Sequence, residues 1–331
     1  MTEFKSHVAV LLPCYNEEMS VARTIRSFRA ALPDAVIYVG DNNSTDRTVE
    51  IALAEGATVL TERMQGKGSV VRRMFADIEA DYYVMADGDA TYDAAAAPIL
   101  LEKAIREHLD MVVGCREEQD MGAYRHGHRL GNQLLTYTLS AFFGRSFSDI
   151  LSGYRVFSRR FVKSFPAFSD GFEIETEISV HALRMRMPTG EVATSYFARP
   201  EGSVSKLATY RDGVRILSTI FDLVRQERPL FFFASIALTL AIVSIALAIP
   251  LADTYLRTGQ VPRFPTAILS SALMIVAFLF ALAGLILDTV VRGRRETLRM
   301  AYLGVAIAVP KIRAPATFVQ TSSFPKTKTR K

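Results

Sequence analysis

The sequence predicts an α/β domain built on a mainly parallel sheet, followed by a two-helix transmembrane hairpin. Three observations carry that expectation. Short apolar runs alternate with helical periods over residues 1–206, acid-rich clusters sit directly after several of those runs, and two uncharged stretches of 24 residues follow at 229–252 and 264–287. The 331 residues leave room for two domains, or for one domain with an appended segment. Half of the residues are apolar, which excludes a disordered chain.

In chain order, Val8–Leu12 reads as a strand, Glu17–Ala31 as a helix, Val36–Gly40 as a strand and Thr45–Ala54 as a helix. The pattern repeats with Tyr82–Ala86 (strand), Ala94–Glu107 (helix) and Met111–Gly114 (strand). Runs that are apolar at every position are buried on both faces, as in a parallel sheet covered by helices. Ligands of such sheets bind at the carboxyl ends of the strands.

Beyond residue 206 the pattern changes. Leu207, Tyr210, Val214, Leu217, Phe221 and Val224 recur at spacings of three and four among arginines, which predicts an amphipathic juxtamembrane helix over 207–228, lying on the bilayer or packed on the domain. The two uncharged stretches exceed the ~20 residues that cross a bilayer. Both are apolar all round instead of striped, which sets two soluble core helices aside. Arg225, Arg228, Arg292, Arg294, Arg295 and Arg299 flank the outer ends of the hairpin region 229–291, against Arg257 and Arg263 in its link. By the positive-inside rule both termini and the N-terminal domain are cytosolic, and the expected location is the inner (cytoplasmic) membrane, crossed by two spans. A secretory signal is not expected, because Glu3 and Lys5 precede an apolar run of only five residues.

The net charge of +5 is set by Lys311, Arg313, Lys326, Lys328, Arg330 and Lys331, in a basic segment (292–331) whose end is either a disordered tail or a contact for anionic lipid. Without those six residues the chain nets −1, so no nucleic-acid partner is expected. Cys14 and Cys115 lack metal spacing and read as buried free thiols in a reducing compartment. The five histidines show no ligand spacing and read as surface residues.

Four strand ends carry candidate chemistry. In Pro13-Cys14-Tyr15-Asn16-Glu17-Glu18, Asn16 can cap the next helix, whose free amides suit a ligand oxygen. In Asp41-Asn42-Asn43-Ser44-Thr45-Asp46, Asp41 can accept from a base or ribose, or the segment is simply a turn rich in side-chain to backbone bonds. Asp87-Gly88-Asp89 sets two carboxylates one residue apart, where they can share a hard divalent ion against a diphosphate. Without a cation, such a pair at the mouth of a buried strand is costly. Asp149 with Ser152-Gly153-Tyr154-Arg155, and then Arg159 and Arg160, combines an acid with guanidinium groups suited to phosphate.

Gln65-Gly66-Lys67-Gly68-Ser69 lacks the full spacing of a phosphate loop, so Lys67 is a supporting contact. Glu173, Glu175 and Glu177 form either a solvated helix start or a segment with one acid turned to the site. Leu134–Phe143 is core or lines a path for lipid.

Taken in order, Pro13-x-Tyr15-Asn16-Glu17-Glu18, Asp41-x-x-Ser44-Thr45-Asp46, Asp87-x-Asp89 and Asp149-x-x-Ser152-Gly153-Tyr154-Arg155 closely resemble glycosyltransferase family 2, of GT-A fold, over residues 7–226. Within it the chain is most similar to the polyprenyl-phosphate glycosyltransferases, the group of dolichol-phosphate mannose synthase and bactoprenol glucosyl transferase. The resemblance implies that Pro13, Tyr15, Glu17 and Asp41 hold the nucleotide, with Lys67 and Asp87 beside them. It implies that Asp87 and Asp89 hold Mg²⁺ or Mn²⁺, and that Arg116, Arg129 and Arg155 receive the acceptor phosphate. Asp149 acts as a base, or orients an arginine and the acceptor. Asn42-Asn43 in place of Asp-Gly, and Thr91 in place of Gln or Ser, depart from the family pattern.

The implied reaction is inverting, metal-dependent transfer of a hexose-type sugar from a nucleotide-diphosphate sugar, by family habit a UDP-sugar, to a polyprenyl phosphate in the bilayer. A homo-oligomer is compatible with this. Two rivals fit less well. A processive polysaccharide synthase needs more than two spans and a Q-x-x-R-W motif, which a chain without tryptophan cannot hold. A non-catalytic sensor of sugar nucleotides would not need intact metal and acceptor motifs.

Overall fold

The computed structural model describes residues 7–118, 147–169, 171, 173–197 and 228–306, together with Tyr137, Ser140 and Arg225. Arg129, the amphipathic pattern at 207–224, most of Leu134–Phe143 and the basic tail after Pro310 lie outside the described residues.

Seven strands form one sheet: β1 (Val8–Cys14), β2 (Val36–Asp41), β3 (Thr58–Thr61), β4 (Tyr82–Met85), β5 (Met111–Glu118), β6 (Arg155–Ser158) and β7 (Thr189–Tyr196), in the order β3-β2-β1-β4-β6-β5-β7. Strands β1 to β4 run parallel, β6 is antiparallel to both β4 and β5, and β7 is parallel to β5. Both faces are covered, and β1 shows it directly. Ala9 and Leu11 face a core with Val70, Met74, Phe75, Phe157 and Ile178, whereas Val10 and Leu12 face another with Ile25, Phe28 and Leu100. The alternating sides explain why the strand is apolar at every position. The first core is built by α3 (Lys67–Asp77), α5 (Arg159–Ser164) and α6 (Ile174–Met185). The second is built by α1 (Val21–Ala31), α2 (Thr48–Ala54) and α4 (Ala97–Arg106).

The differences from expectation are local. Residues 17–20 form a turn in which the amides of Ser20 and Val21 donate to Glu17 O, so α1 starts four residues late with Ser20 at its N-cap. The helix expected at Ala94–Glu107 opens as a 3₁₀ turn, Ala94–Ala96, capped by Asp93. β3, β6 and β7 are short or half polar and carry no strong apolar signal.

After the domain come α7 (Pro229–Thr258, 30 residues) and α8 (Phe264–Leu303, 40 residues), packed side by side. Both are long and apolar enough to cross a membrane, with mean hydropathies of 2.6 and 2.5 over their most apolar windows. Their seam is made of small residues, Ala237 and Ser244 against Ser270, Ala277 and Gly284, and small residues let helix backbones approach where there is no hydrophobic drive. There Ser244 Oγ donates to Ser270 O (2.8 Å) and Ser270 Oγ donates to Ser244 O (2.9 Å). α8 continues past its apolar part through Arg292, Arg294 and Arg299 to reach α5 and α6.

Candidate active site

The parallel strands deliver their polar ends to one edge of the sheet. The first two clusters are laced into one unit: Asn16 N–H donates to Ser44 Oγ (3.0 Å), Glu17 N–H to Thr48 Oγ1 (2.8 Å), and Glu18 N–H to Asp46 Oδ2 (3.1 Å). Asn16 is not a helix cap. With φ at 52°, it turns its Oδ1 to accept from Thr45 N–H (2.8 Å). Asp41 is buried, and its Oδ1 accepts from Ser44 N–H at 3.2 Å.

Asn42, one of the two departures from the family pattern in this cluster, has a use that its sequence context did not reveal. Its Nδ2 donates to Met64 O (2.7 Å) and Glu62 O (3.3 Å), and its Oδ1 accepts from Gly66 N–H (2.6 Å). These three bonds anchor the loop that ends in Lys67 at the start of α3.

Asp87, Gly88 and Asp89 follow β4. Asp89 is buried and accepts from Thr91 N–H (3.2 Å) and Thr91 Oγ1 (2.6 Å). Gly88 is required by packing, since a Cβ there would overlap Cys14 Sγ at the end of β1. Gly88→Ala is therefore expected to lower stability by about 1–3 kcal/mol, read as a fall in Tm. Adding Cys14→Ala should recover part of it. An unchanged Tm for the single variant would show that the turn does not seat on β1. The Cys14 thiol is pushed up by burial and then by the charges of Glu17, Asp87, Asp41 and Asp89, so four acids from three strand ends surround this one side chain.

The Lys67 ammonium bonds Asp87 Oδ1 and lies 2.5 Å from Glu175 Oε1. Burial opposes its charge, but Asp87 and Glu175 outweigh burial and hold its pKa above the usual lysine range. A Cβ on Gly153 would stand 3.1 Å from both Lys67 Nζ and Asp87 Oδ2, so the fourth cluster closes directly over the third. Of the three glutamates, Glu175 is the one at this site, and its Oε2 is buried with no hydrogen-bond partner among the described residues. Glu177 instead accepts from the amides of Phe168 (2.9 Å) and Ser169 (2.8 Å).

On the other side of the fourth cluster, Arg116 grips Asp149 in a fork, Nε to Oδ2 at 2.7 Å and Nη2 to Oδ1 at 2.8 Å, while its guanidinium lies 5.4 Å from the Tyr196 ring centre. Burial pushes the Asp149 carboxyl up, but the bonds and charge of Arg116 more than offset this and hold it below the usual range. A carboxylate so held is a weak proton acceptor.

Arg155 departs from expectation. Its guanidinium is fully buried and donates to Ser152 O (2.8 Å), Ile150 O (2.5 Å) and Ser179 Oγ (2.9 Å). It braces the 149–153 turn from below and is not presented to a phosphate. Burial also pulls its pKa down to about 10. Arg155→Met should cost about 3 kcal/mol, because buried acceptors lose their donors. A variant with wild-type Tm and abolished transfer would return Arg155 to the site. Arg159 and Arg160 point elsewhere, to Glu79 and Asp110. Two smaller expectations also change: Cys115 is only partly buried, and His181 is a core residue set between Phe161 and Phe165.

Asp87 and Asp89 offer only oxygen donors, and among the described residues no group of three or more metal-type ligands forms a cage. That set fits a hard cation of the Mg²⁺ type, which binds through one or two carboxylates plus substrate phosphates.

A model of glycosyl transferase family 2 matches residues 9–165. AglJ, a glycosyltransferase of Haloferax volcanii, is 33% identical over 294 residues, covering 88% of this chain and 96% of its own length. The chain belongs to glycosyltransferase family 2. The dolichyl-phosphate hexose transferase of the same organism is 25% identical over 229 residues, 69% of this chain and 99% of its own. Among solved structures, glucosyl-3-phosphoglycerate synthase of Mycobacterium tuberculosis, in complex with Mn²⁺, UDP-glucose and phosphoglyceric acid, has a TM-score of 0.55 at 23% identity, over 65% of this chain and 80% of that one. That likeness shows the GT-A fold. As a family 2 glycosyltransferase, the chain transfers a sugar from a nucleotide sugar.

Proposed function

We propose that this glycosyltransferase moves a hexose-type sugar from a UDP-sugar to a polyprenyl phosphate held in the bilayer, at the cytosolic face of the inner membrane. The observation that carries the reading is the continuity of α8, which runs without a break from an apolar stretch onto the catalytic domain. A donor dissolved in water and an acceptor fixed in a membrane can meet only at the interface, and the hairpin holds the site there. The dolichyl-phosphate hexose transferase among the relatives, and the UDP-glucose bound by the structural neighbour, support the two substrate classes.

In this reading Pro13, Tyr15, Glu17 and Asp41 hold the nucleotide, and Lys67 sets positive charge beside the diphosphate. Asp87 and Asp89 hold Mg²⁺ or Mn²⁺, which when bound supplies charge against the departing diphosphate. Arg116 receives the acceptor phosphate, with Asp149 fixing the angle of its guanidinium; Arg129 is a second receiver. A phosphate monoester has its second pKa at about 6 and is largely ionised near neutral pH, so its oxygen needs no base. That oxygen forms the new bond to the anomeric carbon as the bond to the β-phosphate breaks. The electron pair leaves with the nucleoside diphosphate, and the anomeric configuration inverts.

The test is a panel of labelled sugar nucleotides offered with short-chain polyprenyl phosphate, with and without chelator. The expected product is an organic-extractable sugar phosphate lipid of inverted configuration, lost when metal is removed. Label that never enters lipid would refute the acceptor, and retained configuration by NMR would refute the single displacement.

A further inference from the structure

α8 does more than leave the hairpin. Beyond its apolar part, Arg294, Leu298 and Tyr302 recur at i, i+4 and i+8, so they share one face of the helix. All three meet the catalytic domain: the Arg294 guanidinium lies 4.8 Å from the Phe168 ring centre, Leu298 packs on the sheet core, and Tyr302 OH donates to Asp110 Oδ2 at 2.7 Å. Asp110 is only 1% exposed and fully engaged. Arg160 donates to both its oxygens (Nε to Oδ1 2.7 Å, Nη2 to Oδ2 3.0 Å), and Ser158 Oγ donates to Oδ1 (2.7 Å). The Arg160 guanidinium also covers the Tyr302 ring at 4.7 Å.

The position of Asp110 gives this latch its meaning. It immediately precedes β5, the strand that carries Arg116 to the Asp149 fork. A helix is stiff, and the fifteen steps from Leu287 to Tyr302 span about 22 Å at ~1.5 Å per residue. We propose that this part of α8 is a positioning arm, latched by Tyr302 on Asp110, that sets the height and tilt of the Arg116–Asp149 pair above the bilayer. The inference rests on the acceptor reading above and adds a residue that the reaction mechanism does not itself require. Tyr302 touches no reacting atom; it is a positioning residue.

Because the arm acts only on an acceptor whose depth is fixed, the test compares two acceptors with the full chain in phosphatidylcholine vesicles. One is a long-chain polyprenyl phosphate in the same bilayer; the other is a short-chain prenyl phosphate that stays in water. For Tyr302→Ala, kcat/KM on the bilayer acceptor is expected to fall about tenfold or more, as misplacement of a reactant by an ångström-scale shift does, while the soluble acceptor keeps its wild-type value. Tyr302→Phe, which loses only the hydroxyl, should show a smaller effect of the same kind. Two alanines inserted after Gly293 turn the whole latch face by about 200°, and should reproduce Tyr302→Ala. Equal losses on both acceptors would make the latch merely structural, and no loss on either would make it irrelevant; both outcomes overturn the arm. Wild-type protein inactive on both acceptors would instead overturn the acceptor reading, and the arm's role with it.

Discussion

Asp89→Asn is expected to fold normally and to lose about 10²–10³ in turnover, the size of effect seen when one preorganised electrostatic contact to a developing charge is removed. The substitution keeps the shape, and the amide oxygen can still accept from Thr91 N–H and Oγ1, so the turn after β4 is preserved. It removes the negative charge that would hold a divalent cation against the diphosphate. Activity should therefore stop responding to added Mn²⁺, and Mn²⁺ titration in the presence of UDP should show weakened binding by electron paramagnetic resonance at unchanged Tm. Full turnover with an ordinary Mn²⁺ response would remove Asp89 from the site. Asp87→Asn should be equally inactive but less stable, because the Asp87 carboxylate also neutralises the buried Lys67 ammonium.

Arg116 carries the second large effect. Arg116→Lys keeps the charge but cannot bond both oxygens of Asp149, since an ammonium is a point donor and a guanidinium is a planar fork. Transfer should fall by about 10²-fold through lost orientation, with KM for the acceptor raised more than KM for the donor. Arg116→Ala leaves Asp149 buried without its main partner and should cost about 3 kcal/mol of stability.

That cost depends on pH in a defined direction. In the wild type the Asp149 carboxyl is depressed, so its contribution is present above the unfolded carboxyl pKa and is lost as pH falls through the lower folded value. In Arg116→Ala burial acts without its main opponent and raises the carboxyl, which is a penalty only where the group must be charged. The difference in unfolding free energy between the two proteins should be largest near neutral pH and shrink in acid. A difference independent of pH would show that Asp149 and Arg116 are not coupled.

The parts of this fold that could be read in the sequence are those governed by local periodicity. β1, β4 and the body of β2 are apolar because both faces of the sheet are covered, and α7 and the first part of α8 are apolar all round, long enough to cross a membrane. Asp41 and Asp87 could be picked out because acids at the ends of buried strands are costly without a purpose, whereas Glu17 and Asp149, which precedes β6, stood out through the resemblance of their motifs to a known family. What could not be read depends on contacts across many residues. Arg155 looked like a phosphate ligand by its motif, yet the antiparallel placement of β6 between β4 and β5 turns its side chain into the core. Asn42 looked like a departure and is a tether. Glu175 could not be separated from Glu173 and Glu177 by spacing, and only the tertiary structure brings the first turn of α6 to Lys67 at the start of α3.

By itself the sequence determined the class of chain: a nucleotide-sugar type α/β domain, the order of its strand-end motifs, and a hairpin long enough to span a membrane. The α/β class and the hairpin follow from length, period and charge counted along the chain, and the nucleotide-sugar class from the resemblance of the ordered motifs to a known family. Only the tertiary structure decided which polar and charged groups meet, with Lys67 between Asp87 and Glu175, Arg116 on Asp149, and the Tyr302 hydroxyl on Asp110. Pairing of this kind is set by strand order and helix docking, which bring together groups up to 192 residues apart and leave no trace in local composition.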